Sequence, residues 1–167
     1  GAKFLLASTS EVYGDPEISP QTEEYTGSVK TTGIRSCYDE GKRISETLSF
    51  DYKRVHNIDI KIARIFNTYG PRMRVNDGRA IPNFINQAIN NKNLTVYGNG
   101  TQTRCFCYID DTISGIYKAI MSDYKLPVNI GYHIEYSILE LIEIIKDLTK
   151  SKSSIIYKDL PINDPKV

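Results

Sequence analysis

Tyr38 and Lys42 stand four residues apart in Ser36-Cys37-Tyr38-Asp39-Glu40-Gly41-Lys42-Arg43. Cys37, Gly41, Ile44, Leu48 and Val55 recur at intervals of three, four and seven, which is one stripe of a helix. On such a helix the phenol and the ammonium share a face one turn apart and can approach each other. A phenol that titrates near ~10 is a poor base at neutral pH, and bringing one to ~7 takes roughly 4 kcal/mol of differential stabilisation of its anion. An ammonium at ~4 Å in a medium of effective dielectric ~20 supplies about that much, provided the site is sheltered from water. The pair is a candidate acid/base.

Such a pair needs elements that bring a substrate to it. Gly1 to Ala7 is continuously apolar apart from Lys3 and reads as a buried parallel strand. Ser8-Thr9-Ser10-Glu11-Val12-Tyr13-Gly14 then lies beyond the carboxyl end of that strand, where ligands sit in open α/β sheets. Asp15 to Arg35 is long for a connection and reads as a functional or covering loop. The Tyr38 helix is expected to end near His56-Asn57, and Ile58 to Ile65 reads as a second strand. Strand, helix and strand in that order form a right-handed crossover with a parallel pair. Phe66-Asn67-Thr68-Tyr69-Gly70-Pro71-Arg72 is a second strand-end loop, so two loops would converge on one crevice beside Tyr38.

Beyond Arg72 the texture changes. Ile81, Phe84, Ile85, Ala88 and Ile89 mark a short amphipathic helix with Pro82 in its first turn. Leu94 to Tyr97 reads as a strand, Gly98-Asn99-Gly100 as a turn and Thr103 to Ile109 as extended. Asp110 or Asp111 is expected to cap a helix carrying Ile113, Ile116, Tyr117, Ile120 and Met121 on one face. Pro127 to Gly131 is a strand, and Ser137 with Glu140 forms a capping box for a helix with Ile138, Leu141, Ile142 and Ile145 inside. Ser154 to Tyr157 is a last strand before a polar tail from Asp159 to Val167.

With 167 residues, 40% hydrophobic and 25% charged, the chain has the length and composition of one globular domain. A net charge of +1 argues against nucleic acid or an anionic membrane as main partner. No apolar run is long enough to span a bilayer, and no signal-peptide pattern opens the chain. Cys37, Cys105 and Cys107 lack framework spacing, which favours a reducing compartment; with only His56 and His133 beside it, Cys105-Phe106-Cys107 is no metal pair. Opening inside a strand suggests a C-terminal portion of a longer protein.

The blocks Ser8 to Pro16, Arg35-Ser36-Cys37-Tyr38-Asp39-Glu40-Gly41-Lys42-Arg43 and Ala63 to Arg72 together resemble the extended short-chain dehydrogenase/reductase superfamily, and within it the UDP-glucuronate decarboxylases, or UDP-xylose synthases. The resemblance continues through Asn76-Asp77-Gly78-Arg79, Leu94 to Arg104 and Asn129-Ile130-Gly131. It implies an α/β fold: an incomplete Rossmann-like parallel sheet over 1–71, with a smaller α/β subdomain that binds nucleotide-sugar over 72–167. Helix 110–122 and strand 127–131 would pack back on the Rossmann sheet.

Residue by residue, the resemblance implies that Tyr38 is the base on the sugar 4-hydroxyl, activated by Lys42, which also holds the nicotinamide ribose. Thr9 would hydrogen-bond the oxygen at C4, and Glu11 would sit close to C5 and the carboxylate. Ser8 and Ile65 would join Tyr38 and Lys42 around NAD. Arg79 and Arg104 suit the diphosphate, since guanidinium groups pair with phosphate in bidentate fashion. Asn67 would contact the sugar-nucleotide, and Val96 and Tyr97 the uracil. The implied chemistry oxidises C4 of UDP-glucuronate with NAD, loses carbon dioxide from the resulting β-keto acid, and reduces C4 again to give UDP-xylose. The partner is a UDP-sugar, and the tyrosine helix of this superfamily commonly packs in a homodimer.

The superfamily's Gly-x-x-Gly-x-x-Gly turn for the cofactor phosphates is absent from these residues and would belong to sequence upstream. A cytoplasmic location is expected, or the Golgi lumen if an upstream segment carries an anchor. A dTDP-glucose 4,6-dehydratase is disfavoured by Ser10, where that enzyme usually carries an aspartate; a UDP-glucose 4-epimerase needs no glutamate at Glu11. The missing glycine-rich turn leaves a non-catalytic binding module as the reading of another class.

Overall fold

The computed structural model describes residues 2–75 and 77–159. Asn76, within a stretch that carries the resemblance, and the tail from Leu160 lie outside the described residues. In chain order the elements are β1 (Phe4–Thr9), a 3₁₀ turn (Ser10–Tyr13), α1 (Ser36–His56), β2 (Ile60–Ile65), β3 (Thr68–Tyr69), α2 (Ala80–Ile89), β4 (Leu94–Tyr97), β5 (Thr103–Cys105), β6 (Cys107–Tyr108), α3 (Ile109–Met121), β7 (Val128–Ile130), β8 (Glu135–Ser137), α4 (Ile138–Thr149) and β9 (Ile155–Lys158). The described residues fall into two compact units, one drawn from Gly1–Thr68 and Phe106–His133, the other from Tyr69–Cys105 and Ile134–Val167.

The first unit is built on a parallel sheet in the order β1-β2-β7. Strand β2 is central, and its Ile60, Ile62 and Ala63 are buried, as expected for a strand covered on both faces. Lys61 is buried there too; its stem crosses the apolar layer and its ammonium donates to the Tyr124 carbonyl and pairs with Asp59. Thr9 stands opposite Ile65, and Ile65 opposite Ile130, so both strand-end loops leave from one edge of the sheet.

Helix α1 turns a polar face inward. Its apolar stripe is exposed, with Ile44, Leu48 and Val55 all at least half accessible, while Ser36, Asp39, Glu46 and Ser49 are buried. The polar face is inside because Glu46 has partners waiting on β1 and β2. Asn57 then ends α1 in a left-handed conformation, donating its N–H to the Lys53 carbonyl.

Helix α3 departs from expectation. Its cap lies two residues before Asp110, at Tyr108, so neither aspartate caps it; Asp110 and Asp111 lie in the first turn, where carboxylates suit the helix dipole. Thr112 and Ala119 are buried, whereas Ile113, Tyr117 and Met121 are exposed. Gly115 allows this rotation: a Cβ there would come within 3.0 Å of Ile130 Cγ2.

In the second unit β4 pairs with β9 in parallel and β5 with β8 antiparallel. Ser137 and Glu140 form the reciprocal capping box of α4, which buries Ile138, Leu141, Ile142 and Ile145. Leu94, Val96 and Ile142 are completely buried at its centre, with Phe84 and Ala88 of α2 beside them.

Candidate active site

The carboxyl end of β1 runs straight into a 3₁₀ turn, and one side chain starts that turn. Thr9 keeps extended backbone while its Oγ1 accepts the N–H of Glu11 at 3.3 Å. Thr9 and Glu11 are thereby held in fixed relation two residues apart. Gly14 closes the turn at φ +66, and a Cβ there would lie 2.1 Å from the Ser28 carbonyl oxygen, so only glycine fits.

Lys42 comes to the same strand end from α1. Its ammonium donates to the Ala7 carbonyl at 2.8 Å and lies 5.8 Å from the centre of the Tyr38 ring. Tyr38 is half exposed. Both side chains line an open groove of about 660 Å³ along α1, together with Ile34, Arg35, Gly41 and Ser45. Glu11 meets α1 at its first turn, where its carboxylate lies 2.6 Å from Arg35 Nη2.

Behind this surface lies a buried polar network. Ser8 donates to Glu46 Oε1 at 2.5 Å, and Glu46 pairs with Arg64 through both oxygens, the shortest contact being 2.8 Å. Arg64 also donates to the Tyr13 hydroxyl and the Glu23 carbonyl. Burial opposes its charge, but the hydrogen bonds to Glu46 and Tyr13 and the Glu46 anion outweigh that and raise its pKa above the usual guanidinium value. The Tyr13 hydroxyl passes its proton's bond to Asn129 Oδ1 at 2.7 Å, and Asn129 is held by Glu23 and Gln21 of the covering loop. The Ser8 side chain is thus buried and committed to Glu46, not open to a ligand.

The remaining residues singled out in the sequence are spread over both units. Ile65 is half-buried at the end of β2, and Asn67 is exposed just beyond it, its carbonyl accepting the Cys107 N–H. In the second unit Arg79 precedes α2 and pairs with Asp77 at 3.0 Å. Arg104 is half-buried on β5 and donates to the Thr103 carbonyl. Tyr97 is exposed and borders a second open groove with Gly98, Tyr157 and Lys158, but Val96 is completely buried and presents no side chain to a ligand. Strand residues point alternately to opposite faces, so adjacent Val96 and Tyr97 cannot line one wall with both side chains.

Residues 1–131 match the NAD dependent epimerase/dehydratase family. The chain belongs to that family. Among curated relatives of this family member, UDP-glucuronic acid decarboxylase 6 of Arabidopsis thaliana is 53% identical over 99% of the chain and 48% of its own length. Two solved structures share its fold. UDP-N-acetylglucosamine 4-epimerase from Methanobrevibacter ruminantium M1 superposes with a TM-score of 0.90 at 28% identity, over 98% of the chain and 52% of its own. UDP-glucuronic acid 4-epimerase from Bacillus cereus, solved with UDP-glucuronic acid and NAD, superposes at 0.83 with 33% identity, over 98% and 51%. The chain spans about half the length of the curated relatives it matches. Arg35, Glu46, Arg64 and Asn129 are the residues of this epimerase/dehydratase family member that sequence spacing did not single out. Arg35, Arg64 and Asn129 were visible only as parts of blocks, and Glu46, Arg64 and, through Tyr13, Asn129 are joined through space by residues more than 15 apart in the chain.

Proposed function

We propose that the protein, in its full natural length, decarboxylates UDP-glucuronate to UDP-xylose with NAD as resident cofactor. The observation that carries this reading is the convergence of Thr9, Glu11, Tyr38 and Lys42 on one strand end, in a chain 53% identical to a UDP-glucuronic acid decarboxylase. The groove on α1 fits the nicotinamide-ribose end of the cofactor: it is open, a Cβ at Gly41 would meet nothing within 4 Å, and it offers a phenol and an ammonium as ribose-binding groups. Tyr38, Lys42 and Ile65 would hold that end, with Ser8 acting from behind through Glu46. Bound there, NAD would supply the hydride acceptor and donor.

The chain's own groups account for the proton and charge movements. Tyr38 takes the proton of the C4 hydroxyl, with the Lys42 ammonium 5.8 Å from the centre of its ring. A ketone at C4 makes the sugar a β-keto acid, whose C5–carboxylate bond electrons flow onto the C4 oxygen as carbon dioxide leaves. Thr9 donates to that oxygen and Tyr38 lies beside it, so the enolate charge is met by fixed donors. Glu11, adjacent to C5 in this reading, orients the carboxylate before loss and the proton that replaces it.

The first unit would bind the cofactor and the second the nucleotide. Arg79 would exchange Asp77 for the diphosphate with help from Arg104, Asn67 would contact the sugar-nucleotide, Tyr97 would face the uracil, and Val96 would support it only by packing β4. The exposed stripe of Ile44, Leu48, Tyr52 and Val55 on α1 supports a homodimer. Among the described residues no helix is long and apolar enough to cross a membrane. A cytoplasmic location is our proposal, or the Golgi lumen given an anchoring segment.

Epimerisation of the same sugar at C4 is the second reading, favoured by the 33% identity to the Bacillus cereus epimerase. Incubation with UDP-glucuronate and analysis of gas and product separates the two: the decarboxylase releases carbon dioxide, whereas the epimerase returns a UDP-uronate of unchanged mass.

A further inference from the structure

We propose that Arg35 is a positioning residue that holds the Glu11 carboxylate in place and locks the strand-end turn to the first turn of α1. Resting on the functional reading above, it makes Arg35 specific to the carbon dioxide-losing half of the reaction. Arg35 Nη2 lies 2.6 Å from Glu11 Oε2. On its main-chain side the Arg35 carbonyl accepts the N–H of Tyr38 at 2.9 Å and of Asp39 at 3.1 Å. On the Glu11 side the Glu11 N–H is bound to Thr9 Oγ1 at 3.3 Å. Thr9, Glu11, Arg35 and Tyr38 therefore form one continuous run of contacts, and Arg43 further along α1 ties the same turn to the helix through the Val12 carbonyl at 2.7 Å.

Helix stability does not explain an arginine at this position. A cation at the N-terminus of α1 faces the positive end of the helix dipole. Nor does the ion pair do much for folding, since its side chains are 44% and 30% exposed and solvent screens them. What the guanidinium does is remove rotamer freedom from a glutamate that otherwise samples many conformers. Its planar fork fixes the direction of the carboxylate, which the point charge of a lysine cannot do equally well.

Arg35→Ala and Arg35→Lys in the full-length protein test this by two measurements. In the first, the ¹³C carboxyl resonance of Glu11, identified by its loss in Glu11→Gln, shifts in Arg35→Ala and returns part-way in Arg35→Lys. In the second, carbon dioxide release from UDP-glucuronate slows on the order of 10²-fold in Arg35→Ala. Reduced nicotinamide then accumulates on the enzyme, because oxidation at C4 continues, and KM is little changed. A general folding defect would instead lower both halves of the reaction and the thermal midpoint together. If the wild-type protein leaves UDP-glucuronate untouched, the functional reading fails and the Glu11 resonance alone decides on Arg35. A Glu11 resonance unmoved by Arg35→Ala overturns the proposal, as does carbon dioxide release that keeps the wild-type rate or falls in step with C4 oxidation.

Discussion

The ammonium of Lys42 donates to the main-chain carbonyl of Ala7 at 2.8 Å, at the end of β1. The charge beside Tyr38 is therefore placed by the scaffold before any ligand arrives, which is the preorganisation that electrostatic catalysis needs. Lys42→Met should weaken NAD binding by roughly 10- to 100-fold, the loss of one charge-assisted hydrogen bond of about 1.5–3 kcal/mol. Calorimetric titration with NAD measures it, and unchanged affinity would remove Lys42 from the cofactor site.

Tyr38→Phe keeps the ring and deletes the phenolic proton. Turnover should fall on the order of 10²–10⁴-fold, the usual contribution of a general acid/base. Because Tyr38 is half exposed, the unfolding midpoint should hardly move. Denaturation curves recorded beside the rates separate the two effects.

The Glu46–Arg64 pair is the strongest structural commitment near the site, with side chains only 10% and 13% exposed. Arg64→Met leaves a buried carboxylate unpaired and should cost about 3–5 kcal/mol, measured by urea unfolding. Adding Glu46→Leu should recover part of that loss, since the orphaned charge is then gone as well. A double variant no better than Arg64→Met would show that Ser8 or Tyr13 carries the penalty instead.

Asp39 is buried one residue beyond Tyr38, and among the described residues its Oδ1 has no hydrogen-bond partner. Burial chiefly raises its pKa above the ordinary 3.8, against the pull of Arg35. The folded state thus binds this proton more tightly than the unfolded state, so the group costs stability as pH rises through the interval between the two values, and the cost persists at neutral pH. Asp39→Asn should stabilise the protein at neutral pH, have little effect in acid below both values, and flatten the stability–pH slope between them. Denaturation midpoints across that range report it; equal effects at all pH values would contradict it.

Local signals in the sequence were reliable where the cause was local. The capping box at Ser137, the end of α1 at Asn57 and the inward face of α4 follow from neighbouring residues, and the structure places all three as the spacing predicts. The inward face of α1 was not legible. Glu46 is buried because Ser8 and Arg64 receive it from two different strands, and helical periodicity carries no record of such partners. The same holds for Glu11, whose partner lies across the covering loop. Strand β8 escaped notice because its three residues merge with the cap of α4. At the site, Tyr38 and Lys42 were visible as a pair, but the tether from Lys42 to Ala7 involves a carbonyl, which every residue has and no sequence marks.

The most direct measurement is carbon dioxide release from UDP-glucuronate by the full-length protein with NAD, compared between wild type and Glu11→Gln. Wild type should release one carbon dioxide for each UDP-xylose formed, while Glu11→Gln still oxidises C4 but releases carbon dioxide far more slowly. Recovery of a UDP-uronate of unchanged mass, with no gas from the wild type, would contradict decarboxylation and leave epimerisation as the chemistry of this site.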